Sequence, residues 1–335
     1  MHHFESWLYP TPSGLYCEPG RFYVDPSKSV DRAIITHGHS DHARPGHDKV
    51  LATSETIEVM KLRLGAGVGR TLQPLELGAP LVIGDVTVTL FPAGHILGSA
   101  QVLIEHKGAR AVVSGDYKRR FDPTATPFEL VPCDLFITEA TFGLPVFRHE
   151  PDDREIGRLL ASQAAFPERT HLVGAYGLGK AQRLIALLRL AHYDRTIYLH
   201  GAIDKMCELY RRLGIELGPL AAVADVDRNK LAGEIVIAPP SALADRWSRR
   251  FADPVTAFAS GWMRVKARAR QRGVELPLVI SDHVDWPELM MTIEQTNAEE
   301  IWVTHGREEA VVLAVTRMGR RARALALLGR EDEAE

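Results

Sequence analysis

The stretch Ala33-Ile34-Ile35-Thr36-His37-Gly38-His39-Ser40-Asp41-His42 decides the reading of this chain. A short apolar run, expected to be a strand, ends in a loop that carries three histidines and an aspartate. Imidazole and carboxylate are borderline-to-hard ligands that suit zinc, manganese or iron. Their spacing keeps them from all pointing one way. His37 and His39 can share one ion, while Asp41 and His42 turn toward a second. Gly38 is expected to let the backbone fold tightly enough for neighbouring ligands to converge. A lone His-x-His is more often a polar surface loop; the full set directly after an apolar strand points to metal.

Two further segments fit the same site. Phe91-Pro92-Ala93-Gly94-His95-Ile96-Leu97-Gly98-Ser99 puts His95 between glycines in a loop, and Ser114-Gly115-Asp116 puts a carboxylate just past the apolar Ala111-Val112-Val113. An aspartate can bridge two cations because each oxygen can take one. Alone, each would be an ordinary loop histidine or turn former. Their order at strand ends raises them.

Around these motifs the first third reads as short strands joined by turns, among them Leu15–Cys17, Phe22–Val24, Leu81–Ile83, Val86–Leu90, Gln101–Glu105 and Leu135–Thr138. From about Asp152 to Arg272 the rhythm changes to strands alternating with helices, the helices expected at Ala181–Leu190, Asp204–Leu213 and Ala242–Phe251. That alternation suggests a small parallel α/β unit. Strands return at Leu278-Val279-Ile280 and Ile301-Trp302-Val303, each followed within a few residues by a histidine, His283 and His305. The acidic end, Arg330–Glu335, is expected to fray.

The order of a His-x-His-x-Asp-His loop, a single histidine, an aspartate and a late histidine resembles the metallo-β-lactamase superfamily. That resemblance implies an α/β fold, an αβ/βα sandwich with two divalent metal ions, Zn or Mn, at one edge. One ion would take His37, His39, His95 and Asp116; the other would take Asp41, His42, Asp116 and a C-terminal histidine. Thr138-Glu139-Ala140-Thr141-Phe142-Gly143, Ile280-Ser281-Asp282-His283-Val284-Asp285-Trp286 and Ile301-Trp302-Val303-Thr304-His305-Gly306 are similar to the three later motifs of the β-CASP nucleases. Those enzymes insert an α/β cap into the sandwich. The resemblance implies a discontinuous metallo-β-lactamase domain, 1–150 with 274–335, and a β-CASP cap domain, 151–273. It makes His305 the late ligand, His283 the general acid and Glu139 the carboxylate that orients it, with Asp41 counted among the catalytic residues. The wording of the Thr-Glu-Ala-Thr and Ser-Asp-His-Val-Asp-Trp motifs resembles the bacterial ligase-associated DNA exonucleases. This implies single-stranded or end-opened DNA as substrate and a DNA ligase and helicase repair set as partners. The RNA-processing members of the group usually have longer caps.

The chemistry expected of such a site follows from charge. Two cations neutralise a phosphodiester and lower the pKa of a water between them, and the resulting hydroxide attacks in line. His283 would protonate the departing 3′ oxygen, with Glu139 beside it to offset the nearby cations, and the product would carry a 5′-phosphate. A ribonuclease of the same group, an ester or thioester hydrolase, and a non-catalytic nucleic-acid scaffold are the rival readings.

Composition bounds the rest. With 335 residues, 45% hydrophobic and 25% charged, the chain has the make-up of an ordinary globular protein. A net charge of −3 excludes a uniformly basic nucleic-acid binder and leaves room for a local basic patch. No apolar run approaches the roughly 18 residues that would span a bilayer. The first residues lack a basic-then-apolar leader, so a cytoplasmic location is expected. Three scattered cysteines match no zinc-finger spacing and suit a reducing compartment.

Two features compete for nucleic-acid contact. Gly174-Ala175-Tyr176-Gly177-Leu178-Gly179-Lys180 matches most of a phosphate-binding loop, but Ala181 stands where Ser or Thr would hold magnesium. Lys180, at the start of a helix, remains a candidate phosphate contact. Arg264-Val265-Lys266-Ala267-Arg268-Ala269-Arg270-Gln271-Arg272 alternates cations with neutral residues, which in a strand would align Arg264, Lys266 and Arg268 on one face. Arg246, Arg249 and Arg250, with Trp247, Phe251 and Trp262 nearby, add to a possible single-strand track.

Overall fold

The structure is a computed structural model, and it describes residues 3–227 and 230–325. The acidic end at 330–335 lies outside the described residues. The described residues form two compact units, one comprising 3–147 and 283–325, the other lying within Arg148–Asp282.

The first unit begins with β1 (Leu8–Thr11), β2 (Gly14–Cys17), β3 (Phe22–Val24), β4 (Arg32–Ile34), β5 (Lys49–Ala52) and β6 (Thr71–Pro74), which make a sheet in that order. Helix α1 (Ser54–Leu64) follows β5; Thr53 caps it by accepting from the Thr56 N–H at 3.2 Å. Then come β7 (Pro80–Ile83), β8 (Val86–Pro92), β9 (Ala100–His106), β10 (Ala109–Val113) and β11 (Leu135–Ala140).

The second unit holds α2 (Asp152–Ala165), β12 (His171–Gly174), α3 (Lys180–Leu190), β13 (Ile197–Leu199), α4 (Gly201–Arg212), β14 (Leu220–Ala222), β15 (Ile235–Ala238), β16 (Val255–Ala259), α5 (Lys266–Arg272) and β17 (Leu276–Leu278). Its strands form one all-parallel sheet ordered β14-β13-β15-β12-β16-β17. The α/β rhythm of the sequence is thus present, with two differences. Ala242–Phe251, expected as a helix, is two short 3₁₀ turns, Pro240–Leu243 and Ser248–Arg250. Phe251 is buried in the apolar layer with Leu172, Val236 and Ala242, and Trp247 packs against it, so tertiary packing overrides helical propensity. The last strand is Leu276–Leu278 rather than 278–280, and it pairs with β16, so this unit runs past residue 273 to Asp282.

The chain then returns to the first unit through α6 (Trp286–Gln295), β18 (Glu300–Gly306), α7 (Glu308–Arg317) and β19 (Arg321–Ala324). Asp285 caps α6 by accepting from the Glu288 N–H, with Pro287 in the first turn, where its missing N–H costs nothing. The second sheet is ordered β19-β18-β11-β10-β9-β8-β7.

The period-2 alternation of these strands sorts side chains into layers. Leu15, Phe22, Val24 and Ile34 from the first sheet meet Val88, Leu90, Val102, Val113, Ile137 and Trp302 from the second. On the outer faces Ala33, Ile35 and Val50 pack on Ile57 and Met60 of α1, while Val112, Phe136, Ile301 and Val303 pack on Leu289 and Ile293 of α6 and Val311 and Val315 of α7. Helix, sheet, sheet, helix is the αβ/βα sandwich.

Cys17, Cys133 and Cys207 are free and buried, and burial pushes their thiols up to about 12, 12 and 11. Little thiolate exists at neutral pH, and the thiolate is the reactive form. None is expected to react with a thiol reagent in the native protein, and all three on denaturation. A rapid native reaction in a colorimetric thiol assay would contradict this.

Candidate metal centre

In the second sheet β8, β10, β11 and β18 run in one direction, so their C-terminal ends open on one edge. His95 follows β8, Asp116 follows β10, Glu139 lies near the end of β11 and His305 near the end of β18. The loop after β4 brings His37, His39, Asp41 and His42 to the same cluster. The tight approach depends on glycine at two positions. Gly94 has φ 73° and Gly115 φ 56°; a Cβ on the first would lie 2.3 Å from the Lys118 carbonyl oxygen, and on the second 2.7 Å from the Thr36 side chain. Gly38 is not among the left-handed glycines, so the convergence is enabled at Gly94 and Gly115 instead.

His37 Nε2, His39 Nδ1 and His95 Nε2 stand 3.1 and 3.0 Å apart across His39. Asp116 Oδ2 lies 3.4 Å from His37 Nε2 and 3.8 Å from His95 Nε2. A tetrahedral ion bound at about 2.0–2.1 Å has ligand–ligand edges of about 3.3–3.4 Å, so these four donors have the dimensions of one cation site. Asp41, His42 and the same Asp116 form a second group, with His42 Nε2 3.2 Å from Asp41 Oδ2 and 3.4 Å from Asp116 Oδ2. His305 Nε2 stands at its margin, 3.9 Å from Asp41 Oδ2. His305 takes a left-handed backbone, φ 63°, uncommon for a residue with a side chain.

Three buried polar atoms here have no hydrogen-bond partner: His42 Nε2, Asp116 Oδ1 and His305 Nδ1. Buried polar groups are nearly always satisfied, so each asks for a partner of another kind. The residues fit a pair of divalent cations.

Electrostatics points the same way. Burial lowers the His37 imidazole well below its usual value, and the neighbouring His42 adds to this. Burial also works against charge on His42, yet Asp41, Asp116 and Asp25 together raise it well above the usual imidazole range. Burial opposes ionisation of Asp41 and Asp116, and His42 overrides it, holding both carboxyls far below their ordinary range. A cation binding there would have to displace the proton that these carboxylates favour on His42. Metal affinity is expected to rise with pH until the His42 pKa is passed, and binding should release protons at neutral pH. Calorimetry in buffers of differing ionisation enthalpy measures that release; a buffer-independent heat would count against it.

Asp25, which carries no motif in the sequence, orders this group. It sits at the end of β3 with φ 44° and is buried. Its oxygens accept from the Thr36 N–H at 2.8 Å, the Thr36 hydroxyl at 2.6 Å and His42 Nδ1 at 2.7 Å. With the proton held on Nδ1, Nε2 of His42 faces the metal donors. Asp25→Asn is expected to weaken metal affinity by roughly 10–100-fold while the first-site donors stay in place. Metal titration of the variant checks this, and unchanged affinity would sink it.

Glu139 and His283 form a third element. Glu139 accepts from the Tyr117 N–H at 2.8 Å and the Thr141 hydroxyl at 2.6 Å, and His283 Nδ1 lies 2.9 Å from its Oε2. The His283 ring is 4.7 Å from the His95 ring, and Asp116, Glu139 and His283 each offer a donor atom within 4.8 Å of the others. Thr141 belongs to the quoted Thr-Glu-Ala-Thr motif, but the sequence does not show that its hydroxyl fixes the glutamate.

The expected nucleic-acid contacts fare differently. Lys180 is 1% exposed; its Nζ is 3.1 Å from Asp282 Oδ2 and 3.2 Å from the Ile280 carbonyl oxygen. The Gly179 N–H at the same turn donates to Gln182 Oε1 at 2.8 Å. Lys180 is thus a buried ion-pair partner rather than an open phosphate contact. Arg264, Lys266 and Arg268 are not on a strand. Ser260 starts a 3₁₀ turn, Gly261–Arg264, and α5 follows, ending at left-handed Gly273. A helix spreads these cations around its axis, and the Arg268 guanidinium lies over the Trp262 ring at 3.7 Å.

No protein-family model matches the chain. It is 29% identical over 303 residues to a probable DNA ligase of Opitutus terrae, covering 90% of this chain and 29% of that protein. It is 27% identical over 309 residues to cleavage and polyadenylation specificity factor subunit 3-I of Arabidopsis thaliana, covering 75% of this chain and 44% of that one. It is 31% identical over 178 residues to endoribonuclease YSH1 of Candida glabrata, covering 50% and 22%. The chain thus spans less than half the length of these relatives. A solved structure of a protein of unknown function from Enterococcus faecalis superposes with a TM-score of 0.59 at 12% identity, covering 90% of this chain and 80% of that one, a likeness of fold alone. By its relatives, its sandwich and its histidine–aspartate cluster, the chain belongs to the β-CASP family of the metallo-β-lactamase fold.

Proposed function

We propose that this protein is a metal-dependent hydrolase of nucleic-acid phosphodiesters, a DNA nuclease that shortens strands from an end during repair. The observation that carries the proposal is the Glu139–His283 pair beside the donor cluster, because a phosphodiesterase needs a proton donor next to its cations. Zinc or manganese held by His37, His39, His95, Asp116, Asp41, His42 and His305 would neutralise the scissile phosphate and acidify a water there. Glu139, fixed by the Tyr117 N–H and the Thr141 hydroxyl, holds the Nδ1 proton of His283 and offsets charge on its ring. Nε2 of His283 then delivers a proton to the departing oxygen. Asp41, a carboxylate of the same cluster, accepts an O–H of the attacking water. Arg264, Lys266 and Arg268 meet the strand backbone.

The choice of DNA is supported by the relative named as a probable DNA ligase, which matches over 90% of this chain. A ligase with a helicase as working partners, and the cytoplasm as compartment, go with that reading. No helix of the described residues is long and apolar enough to cross a membrane. The relatives named endoribonucleases favour a second reading, a ribonuclease with the same chemistry. Incubation with Mn²⁺ or Zn²⁺ and matched end-labelled DNA and RNA single strands decides between them, with Asp116→Ala as control. Stepwise shortening of DNA supports the first reading; preferred cleavage of RNA at internal sites supports the second. Turnover of neither polymer would discard both and leave an ester or thioester hydrolase.

A further inference from the structure

The segment between β15 and β16 is neither the expected helix nor part of the metal centre, and it builds a cavity of its own. Arg246, Arg249 and Arg250 line a cavity of about 480 Å³ together with Val223, Val226 and Leu231. Val223 and Leu231 belong to the buried apolar layer on the sheet, so the floor is fixed rather than a flexible rim. The 3₁₀ turn Ser248–Arg250 sets the geometry. Trp247 packs between His200 and Phe251, with ring centroids 4.6 and 5.2 Å away. The Arg250 guanidinium lies 5.1 Å from the Trp247 ring centroid, and its Nε donates to the Trp247 carbonyl at 3.2 Å. This leaves its two terminal nitrogens available. Arg246 and Arg249 are exposed, and neither guanidinium has an ion pair or hydrogen bond with a described residue. Among the described residues, the lining carries three positive charges and no carboxylate.

Like charges gathered round an apolar floor repel one another, and an anion relieves that cost. Planar guanidinium groups match the tetrahedral oxygens of phosphate in paired hydrogen bonds. The apolar floor suits the sugar or base that a phosphate ester brings with it. The β15–β16 and β16–β17 connections both step the same way across a parallel sheet, so right-handed crossovers put this cavity and α5 on one face of the unit.

We propose that Arg246, Arg249 and Arg250 form a phosphate-ester subsite on the second unit, which takes a backbone phosphate of a nucleic-acid strand. The proposal rests on the nucleic-acid reading of the protein, and its test does not involve cleavage. The full chain is held in a metal chelator and titrated with a fluorescent mixed-sequence single strand across a salt series. Arg246→Gln/Arg249→Gln is expected to bind more weakly whatever the sequence, and the slope of log K against log salt should fall by about 1.4, two contacts at about 0.7 each. Arg246→Lys/Arg249→Lys keeps the charge and should keep the slope. Lys28→Gln/Lys205→Gln removes two exposed charges outside the cavity and should leave the slope within about 0.3 of the parent. Inorganic phosphate and a nucleoside 5′-monophosphate are run as competitors and as thermal-shift ligands. If strand binding is unchanged in the Gln variant while either small anion stabilises the parent and not the variant, the subsite holds a free phosphate ester and the strand source is overturned. An unchanged slope with no small-anion effect overturns the subsite itself, as does an equal slope loss in the lysine control. Retained strand binding without any metal-dependent cleavage would sink the nuclease reading and leave this one standing.

Discussion

Replacing Asp116 by alanine is expected to lower phosphodiester turnover roughly 10³-fold or more. The carboxylate is a member of both candidate cation groups, within 3.4–3.8 Å of His37, His42 and His95, so one substitution removes a donor from each. Cations at such a site contribute several kcal/mol of charge stabilisation in the transition state, and each 1.36 kcal/mol is tenfold in rate. Bound metal should fall in parallel. The fold should survive, because the variant also removes a buried carboxyl oxygen that has no hydrogen-bond partner in the metal-free protein. Metal content and turnover measured on the same preparation check this. A variant that keeps its metal and stays within tenfold of the parent would remove Asp116 from the centre.

His283→Ala should separate proton transfer from metal binding. General acid catalysis contributes typically 10²- to 10⁴-fold, so kcat is expected to fall by that range while metal content is retained. A substrate with a nitrophenolate leaving group needs no proton, and the defect should largely vanish with it. Glu139→Gln cannot offset charge on the His283 ring across their 2.9 Å contact, so the alkaline limb of its pH profile, where a general acid loses its proton, should move to lower pH. If His283→Ala loses metal, or fails equally on activated and unactivated substrates, the histidine is a ligand or a structural residue and not the acid.

The local sequence determined a good part of this. Alternating apolar residues set the strands of the sandwich, the strand–helix rhythm set the parallel unit, and the spacing in His37–His42 named the candidate ligands of one loop. These are short-range properties, fixed by backbone period and by which side chains can bind a cation. The tertiary structure decided what the chain brings together over long distances. Asp25 holds His42 from seventeen residues away, and Thr36 between them, because β3 and β4 pair in parallel. Lys180, a phosphate contact by its loop, is taken by Asp282 a hundred residues on, and that choice belongs to the burial of α3. The cations of 264–272 alternate as a strand would, yet Ser260 and Gly273 close a turn and a helix around them, so the pattern did not decide the period. The basic turn at 246–250 likewise becomes a cavity only because Trp247 and Phe251 are drawn into the sheet's apolar layer. Ligand identity is written in residue type and spacing; partnership between distant residues is settled by which surfaces the fold buries.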